Sequence, residues 1–217
     1  MILTYNNFEK EELKLMNNQE RKEKGLPYHY DDPLLFNDQR EHQELLYDYN
    51  LLRPTQIKEK QTLLKKMFAE IGEGCQIESP VNAKWGCKNV HFGKGIYCNS
   101  NVTFVDDSDI FIGDDCLIAP NVVISTSGHP ILPIMREHNY VYNRPVHIGK
   151  NVWIGSGVQI LPGVSIGDNC VIGAGSIVTK DIPQNSVAYG VPCKVIRGIG
   201  EKDKKYYFKN EKLDIWE

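Results

Sequence analysis

Hydrophobic positions fall into two regimes along the chain. From residue 1 to about 70 they recur at helical spacing. Glu11 to Lys24 is charged, carries Leu13 and Met16 three apart, and stops at Gly25 ahead of Pro27, a normal helix ending. A second helix is predicted around Leu34-Leu35-Phe36 and Leu45-Leu46-Tyr47-Tyr49, opened by Asp32-Pro33 and closed before Pro54. Thr55 is placed to cap a third, whose apolar positions Ile57, Leu64, Met67, Phe68 and Ile71 recur at helical spacing. Three short helices with thin apolar stripes cannot hold a core of their own and need another surface to lie on.

Beyond Gly72 the period changes. Ile148, Ile154, Ile160, Ile166, Ile172 and Val178 stand six residues apart, and Gly149, Gly155, Gly167 and Gly173 directly follow four of them. The fifth position of each six (Val152, Val158, Val164, Cys170, Ser176, Ile182) is apolar or small throughout. The same beat runs upstream through Phe92, Cys98 and Phe104, then through Ile112, Ile118 and Ile124. Those two sets are eight apart, which puts two extra residues within Val105-Asp106-Asp107-Ser108. A period of six suits neither a helix nor a hairpin; it is one flat face per repeat and three faces per turn, a triangular β-helix. The first residue of each six fills the interior. The glycine after it takes the corner, where a side chain would clash or φ is unusual. Coils about 4.8 Å apart would make some six turns into a rod of roughly 28 Å.

Between Ile124 and Ile148 the gap is 24 rather than six, an insertion of 18 residues. It has Ser125-Thr126-Ser127-Gly128-His129-Pro130 at its base and Arg136-Glu137-His138 near its tip. A loop that long in a regular solenoid is usually functional. The predicted organisation is a helical N-terminal cap over 1–70, a β-helix over 71–200 with the loop at 125–147, and a C-terminal tail over 201–217. A net charge of 25 − 28 = −3 gives no basic footprint for nucleic acid. No stretch nears 18 apolar residues, so no membrane span is expected, and Met1-Ile2-Leu3-Thr4-Tyr5-Asn6-Asn7 lacks the basic start and apolar run of a secretory signal. Cys75, Cys87, Cys98, Cys116, Cys170 and Cys193 form no CxxC, which removes zinc-knuckle and thioredoxin readings. The expectation is a cytoplasmic protein with free thiols, of which Cys98, Cys116 and Cys170 face inward as packing.

The ordered motifs carry a family likeness. The repeats, the loop opening Ser127-Gly128-His129-Pro130, and Asn151-Val152-Trp153-Ile154-Gly155-Ser156 resemble the maltose/galactoside O-acetyltransferases. So do Gly173-Ala174-Gly175-Ser176-Ile177-Val178-Thr179-Lys180-Asp181-Ile182-Pro183 and Gly190-Val191-Pro192-Cys193-Lys194-Val195-Ile196-Arg197. Tyr97-Cys98-Asn99-Ser100-Asn101 and Val105-Asp106-Asp107 resemble the family's acceptor segment, and the helical N-terminus its cap, so the likeness covers about residues 10 to 210. It implies a left-handed parallel β-helix, a homotrimer with sites in the grooves between subunits, acetyl-CoA as co-substrate, a sugar acceptor and no required metal. The tail Asp203-Lys204-Lys205-Tyr206-Tyr207-Phe208-Lys209 looks most like the galactoside branch.

Moving an acetyl group from a thioester to a hydroxyl requires removal of the hydroxyl proton as the oxygen attacks. Histidine is the side chain best poised to take it near neutral pH. His129, on the turn where the loop leaves the coil, is the candidate base, and the resemblance assigns the same residue. His91, beside an inward Phe92, is expected to point outward. His138 and His147 lie in and at the end of the loop, and the even spacing of nine among His129, His138 and His147 does not match the ligand pattern of β-helical zinc enzymes.

The resemblance places Asn99 and Asp107 on the acceptor, where an amide and a carboxylate suit vicinal hydroxyls. Trp85 stands where the galactoside branch has serine, and Tyr30 where it has aspartate; both rings are expected to meet the sugar. For the donor, the resemblance sets Ser156 and Ala174 along the pantetheine arm with Trp153 nearby, Thr179 and Lys180 further along, and Lys194 and Arg197 toward the nucleotide. Arg197 suits a forked phosphate contact, while Lys180 and Lys194 act as point charges. Direct attack without an acyl-enzyme is the expected route. Two other readings stay open: the same chemistry on an antibiotic or serine, and a non-catalytic β-helical assembly subunit.

Overall fold

The structure, a computed structural model, describes residues 16–33 and 37–215. The period-six positions build a solenoid of three parallel sheets. The first stacks Glu70–Ile71, Val90–Phe92, Ile110–Ile112, Val146–Ile148 and Ser165–Ile166. The second stacks Gln76–Ile77, Tyr97–Cys98, Leu117–Ile118, Trp153–Ile154, Val171–Ile172 and Ser186–Tyr189, and closes with the antiparallel Lys194–Gly198. The third stacks Val81–Ala83, Val102–Val105, Val123–Ser125, Gln159–Ile160 and Ile177–Val178. Register keeps the interior positions in phase: Phe92 lies opposite Ile112, Cys98 opposite Ile118, and Phe104 opposite Ile124. All of these, with Ile148, Ile154, Ile160, Ile166, Ile172 and Val178, are at most 4% exposed. Each such aliphatic side chain contributes roughly 1.5–3 kcal/mol by leaving water.

The glycine after the interior position is there for close approach. A Cβ on Gly72 would stand 2.6 Å from the carbonyl carbon of Gly93 in the next coil, and one on Gly113 2.8 Å from that of Gly149. The left-handed φ falls two residues later, on Gly95, Asp115, Asn151 and Asn169, at 53° to 68°. Asparagine tolerates that conformation and also stacks: Asn151 Nδ2 donates to Asn169 Oδ1, and Asn169 Nδ2 to Asn185 Oδ1, each at 3.0 Å.

Helices close the first end of the prism. Helix α1 is Asn18–Glu23, shorter than the predicted Glu11 to Lys24; Met16 and Asn17 are already outside it. Asn17 ends it with a capping box, accepting from Glu20 N at 2.9 Å while Glu20 Oε2 accepts from Asn17 N at 2.8 Å. Leu13 and Leu34 to Phe36 lie outside the described residues. Helix α2 is Asn37–Leu51 and helix α3 is Ile57–Met67. Gln56, not Thr55, holds the N-cap of α3, and its side chain instead accepts from Arg53 N. The surface these helices need is the first coil. Tyr49 donates its hydroxyl to the Ile77 carbonyl at 2.6 Å, Asn50 exchanges two hydrogen bonds with the Val81 backbone, and Phe68 packs 5.0 Å from Phe92.

The long insertion is an ordered structure of its own. Ser127–Gly128 pairs antiparallel with Tyr140–Asn143, whose other edge takes Tyr28–His29 from the cap. A short helix α4, Pro133–Glu137, makes the tip. Cap and loop are therefore one three-stranded sheet.

Candidate functional site

Each large departure from the six-residue beat falls at one corner of the prism, where the third sheet hands over to the first. Ala83 pairs with Phe104 and Phe104 with Ile124, yet the next interior residues are Phe92, Ile112 and Ile148. The intervals are nine, eight and 24. Because coils stack, the three excursions lie on successive levels, and they carry Trp85, Asp107 and His129 respectively.

The middle excursion turns two consecutive carboxylates inward. Asp106 is 0% and Asp107 3% exposed, which an alternating strand would not permit. Asp106 Oδ1 accepts the Trp85 backbone N–H at 2.7 Å. Asp107 Oδ1 accepts the indole N–H of Trp85 at 3.2 Å and pairs with Lys84 Nζ at 2.9 Å. From α1, the Lys22 ammonium lies 4.1 Å over the Trp85 ring. Asn143 Nδ2 donates both to the Tyr28 hydroxyl (3.1 Å) and to the Asp107 carbonyl (3.0 Å), tying cap, loop and excursion together. Asp106 Oδ2, Asp107 Oδ2 and Asn143 Oδ1 are buried without a hydrogen-bond partner. Burial pushes the Asp106 carboxyl up to about 6 and the Tyr28 phenol up to about 12. It also lowers the Lys22 ammonium, with attraction to Asp107 opposing.

His129 is exposed and follows Ser127–Gly128 directly. The base of its loop is stapled to the level below: Thr126 Oγ1 accepts the Ser108 N–H at 2.9 Å and donates to the Val105 carbonyl at 2.8 Å. Tyr30, from the cap, stands perpendicular to the imidazole, with ring centroids 6.3 Å apart at 89°. The Tyr30 hydroxyl donates to Asn139 Oδ1, and Asn139 Nδ2 donates to Asp31 Oδ2.

A second set of sequence-named residues stands at the preceding corner, between the second and third sheets. Asn99, Ser156 and Ala174 each follow a strand of the second sheet, whose Trp153 is 54% exposed. Asn99 Oδ1 accepts the Ser100 N–H at 2.8 Å. Ser156 and Ala174 are exposed, and a Cβ on the following Gly157 or Gly175 would meet nothing within 4 Å, so this corner is an open surface. Thr179 and Lys180 leave the third sheet at the His129 corner and are exposed. Lys194 and Arg197 lie on the exposed end strand Lys194–Gly198. Arg197 forks onto Asp203, Nη1 to Oδ2 and Nη2 to Oδ1 at 2.7 Å each, and this pair draws the Asp203 carboxyl down to about 2. Within one chain the two corners stay apart. The strand Val102–Val105 between Asn99 and Asp107 spans roughly 13 Å at about 3.3 Å per residue.

Comparison with known proteins agrees with this architecture. Residues 21–72 match the maltose acetyltransferase hexapeptide capping motif, and residues 145–180 match the bacterial transferase hexapeptide repeats. The chain is 51% identical to a galactoside O-acetyltransferase of Lactococcus lactis over 87% of its own length and 91% of the relative's. It is 52% identical to the galactoside O-acetyltransferase of Escherichia coli over 78% and 83%. A solved galactoside acetyltransferase in complex with coenzyme A superposes with a TM-score of 0.89 at 47% identity, covering 92% of this chain and 99% of that one. The chain belongs to the maltose/galactoside O-acetyltransferase family. As a member of these hexapeptide-repeat acyltransferases, it brings Trp85 onto Asp107 and Tyr30 near His129. Asn99, Ser156 and Ala174 stay on the other corner. Trp85 is 5% exposed, with one ring face under Lys22, and presents no open face for stacking. Asn143, Tyr28, Lys22 and Lys84 are the residues of this corner that the sequence did not single out, and Asp106 was named there only as a member of its segment, without a role. The adjacent carboxylates inside the two-residue departure were the available signal.

Proposed function

We propose that the chain transfers the acetyl group of acetyl-CoA directly to a sugar hydroxyl, with His129 as general base, in a cytoplasmic homotrimer whose sites lie between subunits. The observation that carries this reading is the stacking of three excursions on one corner. It sets an exposed imidazole one level from a buried carboxylate, beneath a sheet shared by loop and cap. Acetyl-CoA supplies the activated acyl carbon. Ser156 and Ala174 fit its arm because the corner is open and their side chains are small. Lys180 and Lys194 supply cations for its phosphates, with Arg197 on the same end strand as Lys194 but forked onto Asp203, and Trp153 an exposed apolar wall. Asp107 and Asn99 orient the acceptor, and the N-terminal cap contributes through Tyr30. As the hydroxyl oxygen bonds to the acyl carbon, its proton passes to the His129 imidazole; the thioester C–S bond then breaks and the proton is delivered to the departing sulfur.

The thiols support direct transfer. All six cysteines are free, and five are buried. Burial pushes Cys98 up to about 12 and Cys116 up to about 11, so they stay protonated and poorly nucleophilic. Two observations favour an assembly. The donor corner and the base corner of one prism face different ways. The outward column of the second sheet is apolar in every coil after the first, where Gln76 stands: Tyr97, Leu117, Trp153, Val171 and Val187. Among the described residues no helix is long and apolar enough to cross a membrane, and no group of three His, Cys, Asp or Glu is placed to hold a metal ion.

The test is thiol release from acetyl-CoA against galactosides, maltose, glucose, serine and an antibiotic acceptor, with His129→Ala alongside. Turnover on a sugar that falls by at least about 10²-fold in the variant is expected. Turnover confined to serine or the antibiotic would move the acceptor class. Failure to retain coenzyme A would overturn the transferase.

A further inference from the structure

The carboxylate of Asp107 is used unequally. Oδ1 takes two donors from adjacent residues of the excursion below: the Lys84 ammonium at 2.9 Å and the Trp85 indole N–H at 3.2 Å. Oδ2 takes none, although the side chain is only 4% exposed. A buried carboxylate oxygen without a donor is costly, and it is tolerated where something that binds later brings one. The carboxylate cannot swivel to share its lone pairs, because one edge is held by a rigid indole. The tryptophan is fixed in turn by its backbone N–H on Asp106 Oδ1, 2.7 Å away, and by the Lys22 ammonium over its ring face. The Asp107 backbone is held from the other side by Asn143. A long, flexible cation alone would let the carboxylate turn; the indole does not.

We propose that Trp85, with Lys84, determines acceptor specificity by occupying Oδ1 of Asp107, so that an acceptor is read by Oδ2 alone, through one donated hydroxyl. Trp85 here is a specificity-determining residue that acts through Asp107, not a stacking platform. The proposal rests on the reading that Asp107 orients the acceptor. It implies strict demand for a single hydroxyl on the sugar and indifference to its neighbour, where a free carboxylate would clasp two.

The experiment measures kcat/KM for a series of monodeoxy glycosides at saturating acetyl-CoA, for the wild-type protein, Trp85→Phe, Lys84→Met and Asp107→Asn. In the wild type, removal of one particular hydroxyl should cost about 10–100-fold and removal of its neighbours less than about 3-fold. Trp85→Phe keeps a ring in the site and deletes the donor. It should spread the penalty over two hydroxyls while the KM for acetyl-CoA stays unchanged. Lys84→Met changes a half-exposed side chain, guards against misfolding of the tryptophan variant and vacates one lone pair of Oδ1 while the indole still holds the carboxylate; it should move the pattern in the same direction by a smaller amount. If both variants scale every acceptor by one common factor, Trp85 and Lys84 only support the fold and the proposal is overturned. Should Asp107→Asn leave the deoxy pattern untouched, the reading of Asp107 falls and the proposal with it, while activity that still depends on His129 keeps the transferase.

Discussion

Asp106 shows how this corner departs from ordinary carboxylate behaviour. It is wholly buried, donates nothing, and is held chiefly by one backbone N–H, so burial raises its carboxyl from 3.8 to about 6. The folded protein therefore binds this proton more tightly than the unfolded chain does. The contribution to stability is fully present below about pH 4 and is lost as pH rises toward 6; the difference is on the order of 3 kcal/mol. Asp106→Asn keeps an oxygen for the Trp85 N–H and removes the charge. Urea denaturation at a series of pH values should show the variant gaining on the wild type between pH 4 and 6.5, then running parallel above. Curves that stay parallel throughout would mean that the charge is compensated. Part of this was readable in advance: the eight-residue interval locates the excursion and Val105-Asp106-Asp107-Ser108 names its carboxylates. That both turn inward was not readable, because consecutive residues of a strand point to opposite faces and only the excursion lets them share one. Asn143 was still less legible. An asparagine in a long loop reads as a turn residue, and its partners Tyr28 and Asp107 are 115 and 36 positions away.

At the level of elements, the beat of six was legible because each coil repeats the same steric demand. The interior residue, the glycine after it and the asparagine or glycine two further on answer three separate requirements: volume, proximity and φ. The sequence alone left proximity and φ undivided on the glycine, and the structure separates them. Gly113 tests the division. Its added Cβ would meet backbone atoms of Gly149 and Lys150 at 2.8 Å, and backbone in a stacked coil cannot step aside. Gly113→Ala should cost about 1–3 kcal/mol, a fall in Tm of roughly 2–10 °C for a chain of this size. Gly200→Ala, where a Cβ meets nothing within 4 Å and φ is −154°, should leave Tm within about 1 °C. Equal effects at the two sites would mean that coil spacing is not what selects glycine. The helices were less legible than the coils, for a physical reason. Their length is decided by caps such as Asn17 and their position by the open end of the prism, where Tyr49, Asn50 and Phe68 find partners that no local pattern encodes.

For the whole molecule, the division of site residues between two corners is the strongest constraint. Asp107, His129 and Thr179 stand where the third sheet ends; Asn99, Ser156 and Ala174 stand where it begins. A rigid prism cannot fold one edge onto the other, so a site that needs both is completed by a second chain. In a cyclic trimer every groove would then pair the base corner of one subunit with the donor corner of its neighbour. That geometry makes a quantitative prediction. His129→Ala damages only the base corner, and Ala174→Trp, at an exposed position, blocks only the donor corner. Each homotrimer should be inactive. Co-expressed in equal amounts and purified without selecting for composition, random mixtures should regain about a quarter of the wild-type turnover per groove, since half the base corners and half the donor corners are intact and they pair independently. A chain carrying both substitutions, mixed with wild type, should give the same quarter. If each site were instead completed within one chain, the two single variants would rescue nothing, while the double variant with wild type would retain half. The two arrangements therefore part in both experiments, and neither outcome depends on knowing which sugar the enzyme prefers.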